Sequence, residues 1–378
     1  MAMTRDIYGE LGVRKVINAA GTYTMVGGSR MSEATLEAMN AAARDHVVLK
    51  ELQQKVHGRL AELTRNEAAF VTNGAAAALH IAAAACIAKK YGRLYRALSP
   101  EQIAKSEIVI HRAHRNPYDW SVRLVGAKIV EVGFPNTILP TTEDDLEYAI
   151  TENTAAIFYF FMGAGGWMAP GALGFEGTLR VAARHGIPVI VDSAAQVPPV
   201  DNLWRLTEMG ATACVFSGGK DLRGPQASGL IVGKRELFSW IERTAFPEYG
   251  VGRMFKVGRE EIVGLLAAVE QYVAMDHGAR AAWAERRIAS TIAEFEGDPV
   301  VSVRRVYPNE AGQPFPQMVI SFAKPGCAAE ALRQLREGNP SIFTMAADDR
   351  SVFVNPMTLR DDEIDAIVSR VGEVKNSL

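Results

Sequence analysis

The runs VIVDSAAQ at residues 189–196 and ATACVFSGGKDLRGPQASGLIVG at residues 211–233 decide how this chain folds. The first is an apolar, β-branched run that stops at an acid, Asp192. The second stops at Ser217-Gly218-Gly219-Lys220, and a third short run, Gly229–Gly233, follows a loop containing glycine and proline. Each run reads as a buried strand. That reading puts Asp192 and Lys220 at the carboxyl edges of two strands, where open α/β sheets bind their ligands.

Working outward, further apolar runs stand at 68–72 (AAFVT), 107–111 (EIVIH), 128–132 (KIVEV), 155–161 (AAIFYFF) and 187–192 (IPVIVD), with helical or loop segments between most of them. Continuous apolar strands alternating with helices predict a mostly parallel sheet of seven strands, covered on both faces. The connection into 229–233 is too short for a helix, so that strand is expected to run antiparallel. Ser32 is placed to cap a helix over EATLEAMNAAA, and apolar spacing predicts a second helix over 49–63. Beyond Lys234 the pattern changes to helices near 260–275 and 279–295, strands within 300–323 and 342–354, and a closing helix from Arg360. The expected organisation is an N-terminal arm and helix over 1–45, a large α/β domain over 46–255 and a smaller α+β domain over 256–378.

Composition narrows the function classes. The chain has 378 residues, 48% of them apolar and 22% charged, which is ordinary for a globular enzyme. Lys+Arg (41) balances Asp+Glu (43), so nothing marks a nucleic-acid partner. MAMTRDIYGE has no signal-peptide core, and the alanine-rich run Ala75–Ala88 is too short to span a bilayer and contains His80. The three cysteines, Cys86, Cys214 and Cys327, are odd in number and lack CxxC spacing. A cytoplasmic protein with no membrane partner is the expectation.

Lys220 follows a buried-looking strand through two glycines, poor surroundings for a surface charge. Desolvation lowers a lysine's pKa and makes it able to form a Schiff base. The glycines allow a sharp turn beside a bulky ligand, and the Ser217 hydroxyl can donate to a phosphate. Lys220 lies 28 residues after Asp192, the span of one strand–helix–strand unit. A carboxylate for a pyridinium nitrogen and an amine for an aldehyde are what pyridoxal 5′-phosphate chemistry requires. Two nucleotide motifs fail: a P-loop would need glycine where Cys214 stands, and Gly163-Ala-Gly-Gly-Trp-Met168 lacks the last glycine of a dinucleotide fingerprint.

Thr72-Asn73-Gly74-Ala75, between a strand and a helix, offers amide groups and a positive dipole end to a phosphate. Gln196 reads equally well as a contact to the cofactor ring hydroxyl or as part of a helix start. His111-Arg112-Ala-His114-Arg115-Asn116-Pro-Tyr118-Asp119 has no third metal ligand at usual spacing. It is either a solvated loop or a site segment, with His114 stacking on the ring and Tyr118 or an arginine near phosphate or substrate. Arg223, Arg253 and Arg360 are candidates for a substrate carboxylate or phosphate.

With these residues assembled, the chain resembles the selenocysteine synthase-like branch of fold-type-I pyridoxal-phosphate enzymes, the branch of L-seryl-tRNA selenium transferase and D-glucosaminate-6-phosphate ammonia-lyase. The segments that carry the resemblance are VRKVINAAGTYT (13–24), TNGAAAAL (72–79), HRNPYDWSVRLVGAKIVEVG (114–133), HGIPVIVDSAAQ (185–196), SGGKDLRGPQASGLIVG (217–233) and GVGRMFKVGREEIVGLL (250–266). The resemblance implies Lys220 as the Schiff-base lysine, Asp192 as pyridinium partner, Asn73-Gly74-Ala75 as phosphate loop and Ser217 as a phosphate ligand. It also implies a homodimer or larger assembly in which Arg223, Arg253 and Lys256 serve a neighbouring site. Selenium transferases carry an additional N-terminal tRNA-binding region for which the arm here is too short, so a small-molecule substrate is expected. The expected reaction is elimination with ammonia release from a small amino acid or amino-sugar acid through a Cα carbanion. Racemisation, group transfer and a non-catalytic relative are the alternatives.

Overall fold

In a computed structural model the described residues are 5–161 and 170–378. The run Gly163–Met168 lies outside them. By their contacts they form two compact units, Ser29–Met275 with Glu310–Gln313, and Met1–Gly28 with Asp276–Asn309 and Pro314–Leu378. These limits differ from those expected from composition. The helix Arg259–Ala274 packs on helices Glu33–Ala42 and Leu49–Leu63 of the larger unit, and the first 28 residues group with the smaller one. Composition carries no trace of either association.

In the smaller unit, strand β1 (Val16–Asn18) pairs in parallel with β11 (Ser341–Phe343). Strands β9 (Val301–Val306), β10 (Gln317–Phe322) and β12 (Ser351–Val354) form an antiparallel sheet in the order β12-β10-β9. Met318 and Ile320 of β10 are buried with Ile288, Leu335 and Ile364 from three helices of the same unit.

The larger unit is built on seven strands: β2 (Ala68–Thr72), β3 (Glu107–His111), β4 (Lys128–Val132), β5 (Thr154–Phe160), β6 (Val189–Asp192), β7 (Ala213–Ser217) and β8 (Gly229–Gly233). Their order is β2-β8-β7-β6-β5-β3-β4, and every pairing is parallel except those of β8, which runs antiparallel to both neighbours. Successive residues of each strand feed opposite cores. Val71, Val109, Ile157, Val191, Cys214 and Leu230 bury against the helices at 49–63, 175–185, 202–208 and 259–274. Phe70, Ile108, Phe158, Ile190, Val215 and Ile231 bury against the helices at 74–91 and 235–244. Two buried faces explain why the strands read as continuous apolar runs. Ser32 caps its helix as expected, accepting from the amide of Thr35 at 3.1 Å.

The edge strand β2 is closed by a buried histidine. Val71 turns its N–H away from β8 and donates it to His57 Nε2 at 3.1 Å, while the His57 ring lies 4.4 Å from that of Phe70. Burial pulls the His57 pKa down from 6.5 to about 3. The folded protein therefore keeps this ring neutral where the unfolded chain takes up a proton. Stability from it is complete above pH 6.5 and is lost progressively as pH falls toward 3. We predict that acidification from pH 7 to 5 costs about 2 kcal/mol at this one site. Urea unfolding at the two pH values checks this. His57→Gln, whose amide oxygen still accepts from Val71, should flatten that pH dependence.

Candidate active site

Six neighbouring strands, β2, β8, β7, β6, β5 and β3, bring their ends to one edge of the larger unit's sheet. Phe160, the last residue of β5, lies in register with Asp192, the last residue of β6, and Asp192 with Val215 of β7. Beyond its strand the Asp192 segment stays tied to β7: Ser193 donates its amide to Val215 at 3.0 Å, and Ala194 accepts the amide of Ser217 at 3.3 Å. Asp192 and Ser217, with Lys220 three residues on, are thereby fixed beside one another.

Asp192 is buried, its Oδ1 accepting the amide of Ala194 at 3.0 Å. Burial pushes its carboxyl pKa up, against the smaller opposing effects of that amide and of the Lys220 charge. Burial pushes the Lys220 amine down, and the Asp192 charge partly restores it. An amine depressed toward its neutral, nucleophilic form beside a carboxylate is what imine chemistry needs.

The turn carrying Lys220 is compressed. A Cβ on Gly218 would stand 2.0 Å from Ser228 Oγ, and one on Gly219 would stand 2.6 Å from Gln226 Cα. Gly224 donates its amide to the Gly218 carbonyl at 2.8 Å, closing the turn, and Arg223 adopts the left-handed conformation at φ 58°.

On the other side, β2 ends at Thr72 and passes through Asn73 and Gly74 (φ +80°) into the helix Gly74–Tyr91. Gly229, opposite both Thr72 and Ser217, comes so close that a Cβ there would lie 2.4 Å from the Gly74 carbonyl carbon. The Asn73 amide donates to the Lys256 carbonyl at 2.9 Å. Ala75 and Ser217 are half-buried at the same edge.

His114, buried just past β3, accepts the amide of Phe160 on Nδ1 at 3.3 Å, which leaves its ring proton on Nε2. Its pKa is pulled down to about 3, by burial first and by His111 second. His111 and Tyr159 flank it edge-on at 5.1 and 4.6 Å, with Tyr159 in turn 5.0 Å from Phe175. This ring cluster is absent from the sequence reading, although alternation along β5 puts Tyr159 on the same face as Ile157.

Other candidates are placed differently. Gln196 is buried and donates its side-chain amide to the Ala311 carbonyl at 3.2 Å, a contact within the larger unit. The basic cluster after β3 is neutralised: Arg112 pairs with Glu131 at 3.1 Å, and Arg115 with Asp119 and Glu131. Tyr118 is 57% exposed. Arg253 is exposed over the rings of Phe246 and Tyr249, at 5.0 and 5.9 Å. Arg360 belongs to the smaller unit and pairs with Asp362 at 3.3 Å and Glu363 at 3.5 Å.

Residues 16–295 match the L-seryl-tRNA selenium transferase family. The chain belongs to that family. It is 31% identical to the 5′-C-glycyluridine monooxygenase-decarboxylase of Streptomyces sp, over 97% of this chain and 91% of the relative. It is equally 31% identical to the D-glucosaminate-6-phosphate ammonia lyase of Salmonella typhimurium, over 98% of each. The L-seryl-tRNA(Sec) selenium transferase of Haemophilus ducreyi is 29% identical over 71% of this chain and 58% of its own length. A solved structure of D-glucosaminate-6-phosphate ammonia-lyase superposes with a TM-score of 0.82 at 28% identity, covering 99% of each chain. The cysteine desulfurase CsdA of Escherichia coli, at 19% identity, 92% coverage of each chain and a TM-score of 0.57, shares the fold alone. The protein is a fold-type-I pyridoxal-phosphate-dependent enzyme. This sheet edge fits that cofactor: a half-buried, desolvated amine, a buried carboxylate, a neutral imidazole and a glycine-lined helix start stand together.

Proposed function

We propose that this chain is a lyase that takes the Cα proton of a small amino acid or amino-sugar acid and releases ammonia. One observation carries the reading: a desolvated amine, Lys220, set against a desolvated carboxylate, Asp192, at neighbouring strand ends. The near full-length likeness to an ammonia lyase supports it.

In this reading Lys220 would hold the cofactor aldehyde, Asp192 its ring nitrogen, and His114, a neutral imidazole, would stack on the ring. The helix start at Asn73-Gly74-Ala75 and the Ser217 hydroxyl would hold the phosphate, and Gln196 would contact the ring hydroxyl. Bound there, pyridoxal 5′-phosphate withdraws electrons from the substrate carbon that gives up its proton. The Lys220 amine would then be the base that accepts that proton. Asp192 would hold the ring nitrogen by its carboxylate. A β-hydroxy substrate then loses water to an enamine and regains it on hydrolysis, giving a keto acid and ammonia with no oxidant. Arg223, Arg253 and Tyr118 are the proposed anchors for substrate carboxylate or phosphate.

A homo-oligomer is part of the proposal, because Tyr118, Trp120, Leu124, Phe134, Ile138 and Leu139 all stand exposed. Among the described residues no helix is long and apolar enough to cross a membrane. Cys86, Cys214 and Cys327 are buried free thiols, which suits the proposed cytoplasmic location.

A screen of D- and L-amino acids and amino-sugar acids in heavy water tests the reaction. Ammonia with keto acid supports elimination. Deuterated substrate of inverted hand would replace it with racemisation, and carbon dioxide release with oxygen uptake would group the chain functionally with the Streptomyces relative.

A further inference from the structure

We propose that Ser29 is a positioning residue for Lys220, acting with a buried Tyr272–Asp221 hydrogen bond on the residue that follows the lysine. The proposal rests on the reading of Lys220 as the residue that holds the cofactor.

A turn opened by two glycines has little stiffness of its own, so its shape is set by what its peptide groups bond to. The bonds here are unusually concentrated around one residue. Ser29 donates its amide to the Gly219 carbonyl at 3.0 Å. Its hydroxyl lies 3.1 Å from that carbonyl oxygen and 2.5 Å from the carbonyl oxygen of Lys220 itself. The peptide groups before and after the lysine are therefore both held by one distant residue. One position further, the Asp221 carboxylate accepts the Tyr272 hydroxyl at 2.8 Å, both groups buried. Tyr272 belongs to the helix Arg259–Ala274, whose Leu265 side chain would stand 2.8 Å from a Cβ on Gly218. The turn is thus gripped from the segment at 29 and from the helix at 272.

The Ser29 bonds end on the peptide groups flanking Lys220 and the Tyr272 bond on the next residue, so the effect passes through the backbone of residue 220. A lysine that must leave its imine, carry a proton and return needs a fixed base for its flexible four-carbon stem. Loosening that base lets a competing amine hold the cofactor longer and the lysine recapture it less well.

The probe is methoxyamine, whose nitrogen takes over the C=N bond while Lys220 departs as a free amine, with no redox change. Displacement is followed by loss of visible absorbance in the cofactor-loaded enzyme. Borohydride reduction and peptide mapping then report the residue that holds the cofactor. Ser29→Ala should keep the wild-type band and the label at position 220 but raise the displacement rate about fivefold, the equivalent of one lost hydrogen bond. Ser29→Thr, which keeps the hydroxyl, should return the rate to the wild-type value. Tyr272→Phe should act in the same direction as Ser29→Ala. Should it fail to fold, the Ser29 pair carries the test alone. Equal displacement rates in wild type and Ser29→Ala would overturn the inference while leaving the Lys220 reading intact. A rise in rate that Ser29→Thr shares would overturn it too, since the hydroxyl would then be irrelevant. Absence of label at position 220 in the wild type would overturn the parent reading, and the inference with it.

Discussion

Lys220→Ala should leave a protein that folds, carries no borohydride label at position 220 and has lost nearly all turnover. The expected rate loss is at least about 10²- to 10⁴-fold, the span attributed to a positioned proton carrier, with the covalent hold lost as well. The structural basis is the environment of the amine. Lys220 is desolvated, its turn is closed by the Gly224–Gly218 hydrogen bond, and the nearest charge acting on it is that of Asp192. Truncation removes the cation that partly offsets burial of Asp192, so the carboxyl should shift further toward its protonated form. A small primary amine added to the variant should recover part of the rate, because the cavity left by the side chain still faces the same carboxylate. Peptide mapping of the reduced wild type decides the matter: label on any other lysine removes Lys220 from the mechanism.

Much of this was legible in the residues themselves, for a physical reason. A strand buried on both faces must be apolar throughout, so the seven runs between Ala68 and Gly233 announce themselves, and a connection too short for a helix fixed the direction of β8. Charged side chains are rarely placed directly behind such runs, so Asp192 and Lys220 stand out. What stayed hidden is contact between residues far apart in the chain. The Ser29 hydroxyl meets the Lys220 carbonyl across 191 positions, and Tyr272 meets Asp221 across 51. A serine after two glycines and a tyrosine in a helix carry no spacing that foretells either bond. The basic cluster was legible as a cluster but not as a neutral one, because Glu131 arrives from the next strand. The limits of the units were hidden for the same reason, since the helix at 259–274 is assigned by the helices it packs on.

Asp192→Asn separates charge from shape. Asparagine keeps an oxygen where Asp192 Oδ1 accepts the Ala194 amide at 3.0 Å, so the junction between β6 and the following segment has no reason to move. What disappears is the negative charge that opposes desolvation of Lys220 and, in the proposed site, the partner of a protonated ring nitrogen. Removing one member of a buried charged pair costs about 3–5 kcal/mol, which corresponds to a rate loss of about 10²- to 10⁴-fold if the charge acts in the rate-limiting step. The variant should therefore keep the cofactor and the label at position 220, since Lys220 is intact, and yet turn over far more slowly. Its lysine should also become more acidic, because burial then acts without its main electrostatic counterweight. Asp192→Glu restores the charge but lengthens the side chain by one methylene in a fully packed position, so it should recover only part of the rate. Retention of wild-type turnover in Asp192→Asn would mean that the carboxylate serves the β6 junction alone, and the acid would then have to be removed from the proposed chemistry.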